Sequence, residues 1–324
     1  MGATQNETQL LALLLASREP LPLEAVGRAL GCAPVEAAVL LERLEGKGCR
    51  LARHPQHGVQ LLESSLTCWS TYIEGRRPGL IGRKVSVYRE TTSTQELARK
   101  MLKPGGNGHD GHVLVSDHQS AGRGRLGRPW ITAPGAALLM TAIVGHGQAT
   151  VDRLMLAACC GVAEGIEAAT GIGTQVRWPN DVLMNGAKMA GIIVETVGKL
   201  ALIGIGINVH GAPRTGRQVT LRSPATSLAE QGQAVDRLLL MERVLEQLQA
   251  ALYTRPSDDL YQAWRERAAL LQQRVTVEAD GRQLTGRVID LDPTQGLLLQ
   301  LDRGQVVTLP AQTTSLVLEG TGDA

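Results

Sequence analysis

A segment rich in glycine and arginine carries the densest chemical signal in the sequence. This segment, the arginine loop, reads GRGRLGRPW over residues 122–130. Its glycines match the G-x-G-x-x-G spacing of dinucleotide-binding turns, but Pro129 and Pro134 exclude the helix that must follow such a turn. Residues 118–151 contain three arginines and no carboxylate. Because guanidinium groups form bidentate hydrogen bonds with phosphoryl oxygens, we predict a loop that closes over a phosphate-bearing ligand; a solvated basic loop is the alternative.

Asp181 and Lys188 form a second candidate group. They flank Asn185-Gly186, a dipeptide typical of β-hairpin turns. We expect the two strands of this hairpin to bring the Asp181 carboxylate beside the Lys188 ammonium. A lysine at the start of an apolar strand is costly to bury without a carboxylate or an anionic ligand, although it could also snorkel from a strand edge. Beside the arginine loop, we favour an anion-facing role for Lys188.

Two further motifs are weaker. The GIGIN sequence over 204–208 combines small residues, which permit close backbone approach, with the Asn208 amide, which could bind a base or a phosphate. A plain core strand is the alternative. Thr92-Ser93-Thr94-Gln95 precedes a predicted helix, where it supplies an N-cap or exposed N–H groups that could hold a carboxylate or ureido oxygen.

Helical and strand-like patterns alternate in the middle of the chain, which predicts an α+β domain with one sizeable sheet. The predicted strands are Val85–Tyr88, Val113–Ser116, Ala137–Val144, Gly191–Glu195 and Leu200–Val209. The predicted helices are Thr94–Lys103, Asp152–Thr170, Asp236–Tyr253 and a last one over Pro256–Gln272. Beyond this point four short strands, within residues 275–309, predict a small SH3-like β-barrel.

Residues 8–62 predict three short helices and a hairpin, the outline of an N-terminal winged helix-turn-helix. Residues 1–65 contain six basic side chains and seven glutamates. Because DNA affinity depends on neutralising phosphates, the acidic third helix, with Glu36, Glu42 and Glu45, argues against operator binding and leaves a structural or dimer-regulating role open. The predicted domains are a winged helix (1–64), a linker (65–83), a catalytic domain (84–272) and a C-terminal barrel (273–324).

Composition excludes several classes of protein. Phenylalanine is absent and aromatic residues make up 2% of the chain, so an aromatic platform for single-stranded nucleic acid is disfavoured. The net charge of +2 gives no reason to expect a whole-protein polyanion or membrane binder. Five scattered cysteines without C-x-x-C spacing predict buried thiols, a reducing compartment and no metal site built from protein ligands. No apolar run is long enough to span a membrane, and we expect a cytoplasmic protein.

Taken together, these motifs resemble the biotin protein ligase family, in its three-domain bacterial form that doubles as a biotin operon repressor. The arginine loop, the WPND sequence at 178–181, the K-x-A-G-I stretch from Lys188 and the GIGIN sequence occur in family order. The resemblance covers nearly the whole chain and implies a central mixed α/β catalytic domain of the biotin/lipoate ligase type. Two departures are Arg177, where the family commonly has lysine, and Pro34 with Glu36, where repressors usually carry serine and basic side chains.

The resemblance implies a two-step reaction. Biotin and ATP with Mg²⁺ form biotinyl-5′-adenylate and pyrophosphate, and the biotinyl group then passes to one lysine of the biotin carboxyl carrier protein of acetyl-CoA carboxylase. A homodimer and operator DNA as partners stay open. Two other functions are weighed: a biotin-sensing DNA-binding regulator without ligase turnover, and a lipoate-protein ligase.

The resemblance also implies roles for individual residues. The implied biotin-binding residues are Ser93, Thr94, Gln95, Gln119, Arg123, Gly124, Arg125 and Lys188. The implied ATP- and adenylate-binding residues are Arg123, Arg125, Trp130, Asn180, Lys188 and Asn208. The implied catalytic residues are Lys188, Arg125 and Asp181.

Overall fold

A computed structural model describes residues 3–76, 79–102, 108–214, 224–292 and 295–317. The N-terminal part has three helices and one antiparallel hairpin: α1 (Ala3–Ala16), α2 (Leu23–Leu30), α3 (Pro34–Gly46), β1 (Arg50–His54) and β2 (Gly58–Glu63). The predicted order of three helices and a hairpin is confirmed. Pro34 suits the first helical position because its fixed φ matches the helix. Glu36 accepts the backbone N–H of Ala33 at 3.0 Å.

Within residues 65–83, the sequence suggests a linker, but helix α4 (Leu66–Arg76) occupies most of it. Trp69 and Tyr72 of α4 are buried. The Tyr72 hydroxyl donates a hydrogen bond to the buried Glu242 carboxylate at 3.0 Å, and Arg76 lies 2.7 Å from the other oxygen of Glu242. This stretch is therefore a packed helix rather than a simple connection, because two large aromatic side chains bury their rings there.

Seven strands form the central sheet. They are β3 (Lys84–Thr91), β4 (His112–Gln119), β5 (Ala137–Gly145), β6 (Gln175–Arg177), β7 (Asp181–Met184), β8 (Ala187–Val197) and β9 (Leu200–Asn208). Their order is β3-β4-β5-β9-β8-β7-β6. Only β3 and β4 pair in parallel, so the sheet is mixed. The mixed α/β architecture expected from the sequence is confirmed.

Four helices belong to this central part: α5 (Thr94–Met101), α6 (Val151–Thr170), α7 (Arg237–Tyr253) and α8 (Ser257–Glu266). The last helix is shorter than the sequence predicts, and residue 103 of the predicted first one lies outside the described residues. α6 packs against α7 and β8. Asp236 caps α7 by accepting the N–H of Leu238 at 2.8 Å. It also accepts the backbone N–H and the hydroxyl of Ser64, both at 2.7 Å, which joins the N-terminal part to α7.

The C-terminal part is a five-stranded antiparallel sheet. Its strands are β10 (Arg274–Ala279), β11 (Arg282–Asp292), β12 (Gly296–Leu301), β13 (Val306–Leu309) and β14 (Thr314–Val317), in the order β13-β12-β11-β10-β14. The first four strands were expected, whereas β14 was not. In the described part of the chain, no helix has both the length and the apolarity to cross a bilayer.

Candidate active site

A cavity of about 340 Å³ lies where the central sheet, the arginine loop and β14 meet. All of the site residues predicted from the sequence lie in its wall. They are Ser93, Thr94, Gln95, Gln119, Arg123, Gly124, Arg125, Trp130, Asn180, Asp181, Lys188 and Asn208. The fold therefore brings together segments that are far apart in sequence, while the individual roles of these residues stay predictions.

Asp181 lies between two cations. Its Oδ1 is 2.6 Å from Lys188 Nζ, and its Oδ2 is 2.8 Å from Arg177 Nη2. Burial opposes ionisation of Asp181, but the charges of Lys188 and Arg177 outweigh it and hold the pKa of the carboxyl below its ordinary value. Two cations and one carboxylate leave a net positive charge at neutral pH, which favours an anionic ligand.

The Asn185-Gly186 turn produces the predicted contact between Asp181 and Lys188. Both turn residues have positive φ, 50° and 76°, as the favoured two-residue hairpin turns require. Leu183 pairs with Lys188 beside the turn, and a register irregularity then places Asp181 opposite Gly191. Bulges re-aim side chains along a strand, so the ion pair forms between residues that are not direct cross-strand neighbours.

The arginine loop is folded back on itself and partly neutralised. Gly124 N donates to the Arg128 carbonyl at 2.7 Å inside the loop. Arg123 forms an ion pair with Glu96 of α5. No carboxylate lies within residues 118–151, and the tertiary fold supplies one to Arg123 from α5.

Arg125 connects the arginine loop to the C-terminal part. Its guanidinium donates hydrogen bonds to the Asn180 Oδ1 at 3.4 Å and to the Ala311 carbonyl. Burial lowers the pKa of Arg125, and the charge of Asp181 opposes this effect. Ser315 and other β14 atoms also line the cavity. The C-terminal part is thus a wall of the site, which was not foreseen because β14 was not predicted.

The Trp130 ring lies close to Gly191 of β8 and Gly206 of β9. A Cβ added at Gly191 or Gly206 would lie 2.8 or 2.7 Å from its ring, so only glycine leaves room for the indole. Lys188 Nζ lies 5.4 Å from the ring centroid, within the range of a cation–π contact. Gly206 of the GIGIN sequence and Gly191 of the K-x-A-G-I stretch therefore make room for Trp130 beside the lysine.

The remaining wall is polar. Thr94 donates its backbone N–H and its hydroxyl to Gln119 Oε1, at 2.6 and 3.2 Å. Ser93 occupies the N-cap position of α5 in an extended conformation, as the sequence predicts, but among the described residues its hydroxyl makes no capping hydrogen bond to the first turn. Asn208 is buried; its Nδ2 donates to the Thr226 carbonyl at 3.0 Å, and its Oδ1 has no hydrogen-bond partner among the described residues.

Comparisons with known proteins show the family to which this chain belongs. A family model described as the biotin/lipoate A/B protein ligase family matches residues 87–211. The biotin–[acetyl-CoA-carboxylase] ligase of Mycobacterium tuberculosis is 33% identical over 237 residues, which is 69% of this chain and 86% of that protein. This chain belongs to the biotin protein ligase family.

Other members of the ligase family match over longer stretches or in three dimensions. The bifunctional ligase/repressor BirA of Bacillus subtilis is 28% identical over 302 residues, covering 89% of this chain and 92% of that protein. The biotin protein ligase of Aquifex aeolicus, solved with biotin and ATP, has a TM-score of 0.61 at 26% identity and covers 72% of this chain and 99% of the other.

Three residues that shape this ligase site escaped the sequence-based reasoning. Thr141 lies in the cavity wall within an apolar strand, Glu96 pairs with the arginine loop, and Ser315 belongs to the unpredicted β14. Only Thr141 left a signal, as a polar residue inside the run ALLMTAIVG of β5. A buried polar residue in such a run needs a partner, and that need could have singled it out.

Proposed function

We propose that this chain is a biotin–[biotin carboxyl-carrier protein] ligase, which activates biotin with ATP and transfers it to a lysine of the carrier domain of acetyl-CoA carboxylase. The observation that carries this proposal is the single cavity whose wall holds Lys188, Arg125 and Arg177 together with the polar residues of α5 and β4. The names of the relatives, which include biotin–[acetyl-CoA-carboxylase] ligases, support the choice of substrate and carrier.

The first step joins two anions, since a biotin carboxylate oxygen attacks the α-phosphorus of ATP and pyrophosphate leaves. Positive charge placed in advance lowers the barrier of such a step. We assign Lys188 to the carboxylate and phosphoryl oxygens and Arg125 to the phosphates. Asp181 aims Lys188 through its contact of 2.6 Å and is too strongly ion-paired to act as a base in this arrangement. Ser93, Thr94, Gln95, Gln119, Arg123 and Gly124 are proposed to bind biotin; Trp130, Asn180 and Asn208 are proposed to bind the nucleotide.

The second step transfers the biotinyl group to the ε-amine of the carrier lysine, and AMP leaves. Until then the mixed anhydride must be kept from water. The arginine loop contacts both α5, through Arg123 and Glu96, and the C-terminal part, through Arg125 and Ala311. We propose that closure of this loop over the adenylate excludes water and retains the intermediate.

Mg²⁺ has no protein site of its own in this proposal. The described residues contain no group of three or more His, Cys, Asp or Glu side chains able to hold a metal ion. Asp181, the carboxylate in the cavity wall, already faces Lys188 and Arg177. We therefore expect any Mg²⁺ to be held by the phosphates of ATP, as is common for this ion.

A carrier biotinylation assay tests the proposal. Enzyme, ATP and biotin are incubated with a biotin carboxyl carrier domain, and streptavidin blotting detects the product. We expect labelling by the wild type and none by Lys188→Ala. A second reaction with lipoic acid and a lipoyl domain, followed by mass spectrometry, separates the lipoate alternative. Biotin binding without any labelled carrier would favour the sensing regulator instead.

We also propose that the N-terminal part is a winged helix-turn-helix, spanning about residues 1–64, and that the C-terminal part from about residue 273 is an SH3-like barrel.

The bifunctional ligase/repressor relatives, matched over nearly their full length, support a role of the N-terminal part in DNA binding. Yet several cations of this unit face its own glutamates: Arg50 lies 3.1 Å from Glu63 and Arg53 lies 2.6 Å from Glu45. A gel shift with biotin-operator DNA at stated salt tests this role, and sedimentation with and without biotin and ATP tests whether the chain forms a homodimer.

A further inference from the structure

Gln95 is held in one orientation by partners that lie outside the proposed substrate contacts. Its side-chain Nε2 donates to Glu195 Oε2 at 3.0 Å and to the Leu202 carbonyl at 3.2 Å. Both partners can only accept, so the amide nitrogen must face them and the amide oxygen must face the other way. Gln95 itself is 2% exposed, which leaves no solvent to stabilise the flipped amide.

The amide oxygen of Gln95 faces Thr141, a residue of the cavity wall. Thr141, fully buried on β5, has two acceptors for its one hydroxyl proton, Thr94 Oγ1 at 2.9 Å and Gln95 Oε1 at 3.2 Å. Thr94 in turn contacts Gln119 Oε1 through its N–H and its hydroxyl. A hydroxyl has one proton, so the direction of each donation along this chain depends on which atom of Gln95 faces Thr141.

Glu195 is the charged end of this hydrogen-bond chain. It lies on β8, and Arg99 of α5 approaches the same Oε2 at 2.5 Å. The Glu195 side chain is 28% exposed and Arg99 is 45% exposed, so the ion pair between them is partly screened by water. We therefore expect Glu195 to influence the cavity by accepting the hydrogen bond from Gln95, and not through its salt bridge with Arg99.

We propose that Glu195 is a positioning residue, which orients the Gln95 amide and thereby sets the donor and acceptor pattern that Thr141, Thr94 and Gln119 present to a small substrate with a polar head group. The inference rests on the proposed function, in which that substrate is biotin. Glu195 does not line the cavity, so its effect passes through Gln95 and not through direct contact with the substrate.

Steady-state kinetics of carrier biotinylation test this role. We expect Glu195→Ala to raise the KM for biotin about ten-fold, the size of one lost hydrogen bond to a charged group, with kcat changed less than about three-fold. Glu195→Gln keeps an acceptor oxygen and should restore the KM to within about three-fold of wild type. Glu90→Ala, a change at an exposed glutamate on β3, is the matched control and should leave both constants unchanged.

Thermal unfolding of each variant separates positioning from a loss of folding. An unchanged biotin KM in Glu195→Ala, or equal defects in Glu195→Ala and Glu195→Gln, would overturn the proposal. A fall in kcat with an unchanged KM would also count against it, since that pattern does not follow from a reoriented binding wall.

A measurement without turnover keeps the inference distinct from the proposed function. With ¹⁵N-glutamine labelling, and Gln95→Asn to assign the resonance, the Gln95 amide protons should resist solvent exchange in wild type and Glu195→Gln and exchange rapidly in Glu195→Ala. Continued protection in Glu195→Ala would refute the orienting role even if the wild type is an active ligase. A wild type that labels no carrier but shows the expected exchange pattern would refute only the proposed function.

Discussion

The cavity and the N-terminal part differ in how fully carboxylates balance their cationic side chains. Among the described residues, five cationic side chains line the cavity, Arg123, Arg125, Arg128, Arg177 and Lys188, and one carboxylate, Asp181, lies with them. In the N-terminal part, by contrast, Lys47, Arg50 and Arg53 each pair with a glutamate of the same unit. Arg123 pairs with Glu96, and Arg177 and Lys188 share Asp181, yet the cations of the cavity wall outnumber these two carboxylates. An excess of positive charge favours an anionic ligand, so we expect anion binding in the cavity rather than on the N-terminal part.

Replacing Lys188 is the strongest test of the expectation that the cavity binds an anionic ligand. We expect Lys188→Ala to slow biotin-dependent ATP–pyrophosphate exchange by about 10²–10³-fold, because a preorganised charge beside the reacting oxygens is lost. Lys199→Ala, an exposed lysine in the turn between β8 and β9, is the control and should exchange at the wild-type rate. Exchange at that rate in Lys188→Ala would remove Lys188 from the mechanism.

Asp181 is the one carboxylate among the described residues that line the cavity, and its removal tests how much the ion pairs there stabilise the fold. We expect Asp181→Asn to lower the free energy of unfolding by about 2–3 kcal/mol at neutral pH, because Lys188 and Arg177 are left facing each other without a counter-charge. Urea unfolding of wild type and variant measures this difference. Added ATP or pyrophosphate should recover part of the loss, whereas a variant as stable as wild type would show that the ion pairs contribute nothing net.

The ion pairs of Asp181 with Lys188 and Arg177 also predict that the stability of the protein depends on pH. The folded-state pKa of Asp181 lies below its ordinary value, so its contribution to stability is present above the ordinary aspartate pKa and is lost as the pH falls through the folded-state pKa. We therefore expect the difference in unfolding free energy between wild type and Asp181→Asn to be largest at neutral pH and to vanish in acid. A difference that stays constant with pH would contradict the depressed pKa.

Neutralising the glutamates of helix α3 tests whether negative charge in the N-terminal part weakens its binding to DNA. Glu36→Gln, Glu42→Gln and Glu45→Gln combined remove three negative charges from α3 and release Arg53. We expect roughly ten-fold tighter binding to duplex DNA at low salt and a steeper fall of affinity with salt. Gel shifts over a salt series measure both. No change in affinity would mean that α3 does not face the DNA.

The smallest effect is expected for a single surface ion pair of the same unit. Arg53→Ala removes a pair in which the side chains of Arg53 and Glu45 are 51% and 35% exposed. Exposed pairs contribute little, so we expect the free energy of unfolding to change by less than about 0.5 kcal/mol. Thermal or urea unfolding checks this, and a loss above about 1 kcal/mol would show that the pair is coupled to the fold.

Local patterns predicted many of the helices and strands and singled out the arginine loop, Asp181 and Lys188, whereas the full set of site residues came from the family resemblance. The Asn185-Gly186 turn, for example, predicted the contact between Asp181 and Lys188 from short-range geometry alone. The failures lie where distant segments decide. Helix α4, for example, packs through the hydrogen bond from Tyr72 to Glu242, a residue 170 positions further along the chain that no local pattern connects with this helix.

Residue types and their local spacing predicted the chemical groups of the site: a glycine-rich loop with three arginines, a lysine beside a hairpin turn, and glycines that admit close packing. The tertiary structure decided which partners those groups have. It placed Glu96 on Arg123, Ala311 on Arg125, and Glu195 behind Gln95. Residue types and spacings act through local backbone geometry, whereas charge pairing and amide orientation depend on side chains brought together by the fold.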